Sequence, residues 1–283
     1  MESEPTNKTS SKQVLIKIFR IILIAYIAMC VGVYFFQSKL VFIPTVGQPE
    51  RTPASIGLEF QDLTLKSENE KIHAWFVPAK ENKGTILFCH GNAGNLGHRM
   101  STIRTWNDLG WNIMIFDYRG YGISTGEPSE KGCYEDAGAA YLWLKENDHL
   151  KKPLIVHGRS LGGGIASWAA GEFSADALIL ESTFTSIPDM GAHYYPFLPI
   201  AMISNIDFPT KERLPNLDIP LLIIHGEKDQ IIPYKMGKEM AQKNSADFID
   251  LQGDHNSGFD VSPAYIPGLK AFVDKLIVPK EEP

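Results

Sequence analysis

Gly158-Arg159-Ser160-Leu161-Gly162 follows the apolar run at 154–156 and precedes a stretch with helical spacing at 162–172. A serine in a G-x-S-x-G pattern between a strand and a helix sits on a sharp turn that lifts its hydroxyl out of the sheet. Flanking glycines are needed because side chains there would clash with their surroundings. The turn also aims the backbone N–H of Leu161, and the helix N-terminus, at the place where negative charge develops. Ser160 is therefore the candidate nucleophile and Leu161 a candidate oxyanion-hole donor.

Working outward, short apolar runs without alternation recur at 85–89, 113–116, 177–180 and 219–224. Continuous apolar strands are buried on both faces, which calls for a parallel sheet covered by helices. Segments with helical spacing lie between them, at about 96–109, 130–147, 162–172 and 234–243, with a last one at 262–277. Alternating runs at 60–65 and 72–77, with polar 67–71 between them, predict an opening hairpin. The expected fold class is α/β: a mostly parallel sheet with helices on both faces and antiparallel strands at one edge.

Three further loops carry chemistry. His90-Gly91-Asn92-Ala93-Gly94 follows the run at 85–89 and resembles an H-G-x-x-G loop that supplies a second oxyanion N–H. The backbone of Asn92 is assigned that donor, with Ala93 as the alternative. His225-Gly226-Glu227-Lys228-Asp229 follows the run at 219–224 and offers Asp229 as the acid, with Glu227 competing. Of the eight histidines, only His255 lies downstream of Asp229, so it is the candidate base. His73, His98, His149 and His193 read as surface or loop residues. His157 and His225 abut glycines at strand ends and read as structural, and His90 as shaping its own loop.

The chain order Ser160, Asp229, His255 is that of α/β hydrolases and differs from those of chymotrypsin and subtilisin. Asp117-Tyr118-Arg119-Gly120-Tyr121-Gly122-Ile123-Ser124 resembles a D-Y-R-G-Y-G-x-S signature of the same superfamily. With H-G-N-A-G-N at 90–95, G-R-S-L-G-G at 158–163 and H-G-E-K-D at 225–229, the sequence is similar to membrane-anchored serine hydrolases related to monoacylglycerol lipases, lysophospholipases and protein depalmitoylases. The resemblance covers roughly residues 55–275. It implies a Ser-His-Asp triad and an acyl-enzyme, with no cofactor and no metal. One departure stands out: the base is usually framed Gly-x-Gly-His, and here it reads Gly253-Asp254-His255. Depalmitoylases of this branch carry an N-terminal cysteine cluster that this sequence lacks, which disfavours that activity.

Residues 14–36 are almost entirely apolar, broken only by Lys17 and Arg20. The uninterrupted part, 21–36, is slightly short of the roughly 17–25 residues that span a bilayer. Snorkelling of Lys17 and Arg20 extends it to the whole stretch. A retained transmembrane anchor at 14–36 is expected, the rival being a cleaved signal peptide. Lys8, Lys12, Lys17 and Arg20 precede the apolar core while Lys39 and Arg51 follow it. The positive-inside rule then leaves a cytoplasmic tail at 1–13 and puts the large domain on the non-cytoplasmic side. A linker at 37–58, with Pro44, Pro49 and Pro53, leads to a hydrolase domain at 59–279.

The remaining composition mostly excludes. A formal charge of −6 argues against a nucleic-acid partner. Cys30, Cys89 and Cys133 form no C-x-x-C pair, so no zinc or dithiol site is indicated, and Cys89 reads as a buried thiol. Between Glu181 and Ile219 lies a segment containing Tyr194, Tyr195, Phe197 and Ile203, where this fold inserts a lid, here at about 183–215. An aromatic and aliphatic lid beside an anchored site points to lipid-derived acyl esters as substrate. A peptidase, amidase or thioesterase on the same triad, and a non-catalytic membrane-tethered binding module, are the alternatives.

Overall fold

The computed structural model describes residues 11–277. Its strands are β1 (Gln61–Ser67), β2 (Glu70–Val77), β3 (Thr85–Cys89), β4 (Asn112–Phe116), β5 (Leu154–Arg159), β6 (Ala177–Glu181), β7 (Leu221–Gly226) and β8 (Asp247–Leu251). Helices α1 (Ser11–Val41), α2 (Met100–Asp108), α3 (Glu130–Glu146) and α4 (Leu161–Glu172) lie in its first part. Then come α5 (Ile187–Tyr194), α6 (Ile200–Ile203), α7 (Thr210–Arg213), α8 (Tyr234–Lys243), α9 (Gly258–Val261) and α10 (Tyr265–Ile277). Among the described residues the strands form one sheet in the order β1-β2-β4-β3-β5-β6-β7-β8. From β4 to β8 all neighbours are parallel, and the β1–β2 hairpin closes one edge through antiparallel pairing of β2 with β4.

The apolar runs lack alternation because both faces of the sheet are covered. In β3, Leu87 and Cys89 join a core with α3, α4 and α8, while Ile86 and Phe88 join the opposite core with α2 and α10. Successive side chains point to opposite faces, so a strand between two cores must be apolar at every position. Burial raises the Cys89 thiol well above its ordinary pKa, which leaves it inert.

Two expectations need correction. Helix α1 runs from Ser11 to Val41, beyond both ends of the apolar stretch at 14–36, so the first residues of the expected linker are helical. No breaker follows until Pro44, and Lys12, Gln13, Gln37 and Lys39 are good helix formers. The expected tail, as far as residue 10, and the domain end at residue 279 lie outside the described residues. His73 is buried on β2 instead of lying at the surface, with Nε2 2.6 Å from Asp62 Oδ1 and Nδ1 3.9 Å from Asp117 Oδ2. His149 lies in the loop after α3, as expected, and is half-buried with its ring stacked on Phe76 and Trp143.

The segment between β6 and β7 forms a cap of three short helices, α5 to α7, over the carboxyl ends of the strands. The Ser186 hydroxyl caps α5 by accepting from the Asp189 N–H at 3.0 Å. The Glu130 carboxylate, at the start of α3, accepts from the N–H groups of Asp207 (2.6 Å) and Phe208 (2.9 Å) and so pins the far side of the cap.

Candidate active site

Ser160 occupies the turn between β5 and α4 with φ 53° and ψ −120°. A non-glycine residue in that region costs about 1–3 kcal/mol and persists only where its surroundings hold it. Here the Ser160 N–H donates to the Glu181 carbonyl at 2.9 Å and the Thr183 hydroxyl donates to the Ser160 carbonyl at 2.7 Å. The glycines of the motif are dictated by contact. A Cβ on Gly162 would lie 1.9 Å from the Cys89 carbonyl oxygen, and one on Gly158 2.4 Å from that of Gly162.

The expected acid and base come to the same place from the loops after β7 and β8. His255 Nε2 is 3.1 Å from Ser160 Oγ, and His255 Nδ1 is 2.7 Å from Asp229 Oδ2. An ionised carboxylate only accepts, so Nδ1 carries the ring proton and Nε2 is left to accept from the hydroxyl. Asp229 Oδ1 accepts from the N–H groups of Ile231 (2.9 Å) and Ile232 (2.7 Å), and His225 Nε2 lies 3.3 Å from Oδ2. Burial alone would raise the Asp229 pKa. The bonds from His225, His255 and Ile232 outweigh it and hold the carboxyl well below the usual carboxylate range. Glu227, the competing acid, is exposed on the same loop.

Asp254, the departure beside the base, orders the His255 turn. Its Oδ1 accepts from the N–H groups of Asn256 (2.9 Å) and Ser257 (2.8 Å) and from the Ser257 hydroxyl (2.8 Å). That Asx-type arrangement supplies the tight turn that a glycine usually permits.

Leu161 opens α4, so its N–H has no acceptor within the helix, and the residue lines the cleft beside Ser160. Asn92 lines the same cleft. Its side chain is engaged elsewhere: Nδ2 donates to the Val41 carbonyl at 2.6 Å, and Oδ1 accepts from the Ile43 N–H (2.9 Å) and the Tyr121 hydroxyl (2.6 Å). The side chain thus ties the loop after β3 to the C-terminal end of α1. His90 is buried beneath it with Nδ1 2.7 Å from the Gly91 carbonyl, and burial lowers its pKa.

The structure adds residues that the sequence pattern left unassigned. Arg159 Nη2 donates to the His255 carbonyl at 3.0 Å, its guanidinium stacks 4.0 Å from the Phe259 ring centroid, and Nε pairs with Glu181 Oε1 at 3.2 Å. Glu181 Oε2 accepts from the Tyr265 hydroxyl at 2.7 Å. The variable residue of G-x-S-x-G therefore holds the base loop against β5. His225, read as structural, touches the acid; its spacing of four from Asp229 was the available signal.

The profile described as alpha/beta hydrolase fold matches residues 84–199. The uncharacterized membrane protein YNL320W of Saccharomyces cerevisiae is 33% identical over 239 residues, 79% of this chain and 84% of that protein. The chain belongs to the α/β-hydrolase family. Lysophosphatidylserine lipase ABHD12 of Mus musculus is 32% identical to this α/β hydrolase over 259 residues, 76% of this chain and 64% of the mouse protein. The solved structure of the Pyrococcus furiosus esterase Pf2001 shares the hydrolase's fold, with a TM-score of 0.70 at 21% identity, covering 84% of this chain and 98% of that one. Helix α1 is long and apolar enough to cross a membrane.

A cleft of about 560 Å³ opens over Ser160 and Leu161. Phe184, Met190, Phe197, Leu198 and Ile200 of the cap form one side of it, and Ile231 and Ile232 of the acid loop another. Its size suits a small organic ligand or an acyl chain, and polar groups converge at its catalytic end.

Proposed function

We propose that this α/β hydrolase is a membrane-anchored serine esterase that cleaves lipid-derived acyl esters. The observation that carries the reading is the hydrogen-bonded series Ser160–His255–Asp229 at the floor of an apolar cleft. Ser160 Oγ attacks the ester carbonyl carbon while His255 Nε2 takes its proton. The imidazolium so formed is paired with Asp229, whose depressed pKa keeps it charged. The N–H groups of Leu161 and Asn92 stabilise the oxyanion, each such donor being worth about 10²–10³ in rate. Collapse expels the alcohol, which receives the proton from Nε2. Water, deprotonated by His255, then releases the acid and restores Ser160.

Helix α1 is the anchor. The lysine and arginine excess before its apolar stretch leaves the N-terminus cytoplasmic and the catalytic domain across the membrane. Lipid esters follow from the apolar cap side chains around the site, and the lipase named among the relatives supports them.

Fluorophosphonate labelling of the full chain, followed by an ester panel of increasing acyl length, tests the reading. The wild type labels and its activity rises with chain length, whereas Ser160→Ala folds, does not label and has no turnover. Turnover in Ser160→Ala removes the assignment, and activity confined to acetyl esters removes the lipid substrate.

A further inference from the structure

We infer that α1 is part of the substrate site as well as the anchor: one face of it forms a wall of the acyl-binding cleft. The inference rests on the proposed esterase reading and adds the residues that read the acyl chain. Met29, Val33, Gln37 and Leu40 all line the cleft that opens on Ser160. Their spacing of four, four and three puts them on a single face of the helix. Ile24 and Phe35 on the opposite face are exposed and line no part of the cleft, whereas among the wall residues Gln37 is buried, Val33 half-buried and Leu40 64% exposed.

Two features show that the helix is seated in a set register against the domain. The first is Gln37, buried in an otherwise apolar setting. Its Nε2 donates to the carbonyls of Tyr34 (2.7 Å) and Ile203 (3.3 Å), and its Oε1 accepts from the Asn205 N–H (2.7 Å). Both donors of the amide are thus used, and two of the three bonds reach the cap. The second is the Tyr26 hydroxyl, which donates to the Phe197 carbonyl at 2.8 Å and fastens the cap well along the helix. At the other end the Asn92 side chain holds the Val41 carbonyl beside the loop after β3.

These fastenings fix the geometry of the wall. Met29 precedes Val41 by twelve positions, which is roughly 18 Å of helix at 1.5 Å per residue. The wall therefore starts at the reacting carbonyl and runs into the apolar stretch of α1, a length that suits a long, extended acyl chain. A lipid ester would lay its chain along Leu40, Val33 and Met29 with its carbonyl over Ser160.

The test uses the full chain in vesicles, with fluorophosphonate labelling to confirm an intact Ser160 and the ratio of kcat/KM for hexadecanoyl against butanoyl esters as readout. Val33→Trp fills the wall and lowers that ratio at least about tenfold, the scale at which one methylene discriminates in an apolar pocket. Val33→Ala opens it and moves the preferred length upward. Ile24→Trp, on the opposite face, leaves the ratio at the wild-type value. The inference is overturned if labelled Val33→Trp and Val33→Ala both keep the wild-type ratio, or if Ile24→Trp shifts it as much as they do. Should Val33→Trp fail to label, Val33→Ala decides alone. Failure of the esterase reading is seen separately, as wild-type turnover that survives Ser160→Ala.

Discussion

At the scale of single residues, the site is held by charges that its own pattern does not advertise. Glu181 is buried at the end of β6 beside the Ser160 turn. Burial alone would raise its pKa. His157, with Nε2 3.2 Å away, the Arg159 guanidinium and the Tyr265 hydroxyl overcome that and hold it at about 2. A carboxyl whose folded pKa is depressed stabilises the fold above its unfolded pKa, and that contribution is lost as pH falls through the folded value. Glu181→Gln therefore lowers the stability at pH 7 by about 3–5 kcal/mol, because it leaves the Arg159 charge buried without its partner. The difference in Tm between wild type and variant narrows as the pH falls from about 4.5 towards 2, the window set by the ordinary and depressed values. Thermal unfolding followed across that range checks it, and a gap that stays constant to pH 2 contradicts the assignment.

At the scale of elements, legibility followed whether a constraint was local. The G-x-S-x-G turn, the loop after β3 and the acid and base loops each sit at a strand end, and strand ends can be placed from apolar runs alone. The runs at 85–89 and 177–180 match β3 and β6 closely because both faces of the sheet demand apolar side chains. Non-local contacts were not legible. Arg159 occupies a free position of its motif, and only the fold brings the His255 carbonyl to it. His73 lies in a polar–apolar alternation that looks half-exposed, but Asp117 arrives from β4 and encloses it. The close approach of α4 to β3 is local enough to test directly. Gly162→Ala would drive a methyl carbon into the Cys89 carbonyl, and neither partner is a side chain that can move aside. The expected cost is at the upper end for single substitutions, about 3 kcal/mol or more. Thermal unfolding should show it, and a Tm within a degree of wild type would mean that the two segments are not packed this closely.

At the scale of the whole molecule, the apolar stretch at 14–36 signals lipid and protein contact in the same letters, so its share in the catalytic cleft could not be read from hydropathy. The structure separates the two by face: Ile24 and Phe35 are bare, while Met29 and Val33 line the cleft. At 1.5 Å per residue, the 31 residues of α1 extend about 46 Å, well beyond the roughly 30 Å of a bilayer's hydrocarbon core. Four basic residues, Lys8, Lys12, Lys17 and Arg20, precede the uninterrupted apolar core, against Lys39 and Arg51 after it. The positive-inside rule predicts that the larger cluster stays on the cytoplasmic side and that the domain crosses with the other end of the helix. In sealed vesicles with their cytoplasmic face outward, an added protease should remove an N-terminal epitope tag and spare a C-terminal one until detergent is added. Loss of the C-terminal tag in intact vesicles would place the domain in the cytoplasm. The cleft would still border the membrane through Met29 and Val33, but its substrate would then come from the cytoplasmic leaflet, so the orientation decides which pool of lipid esters the enzyme reaches.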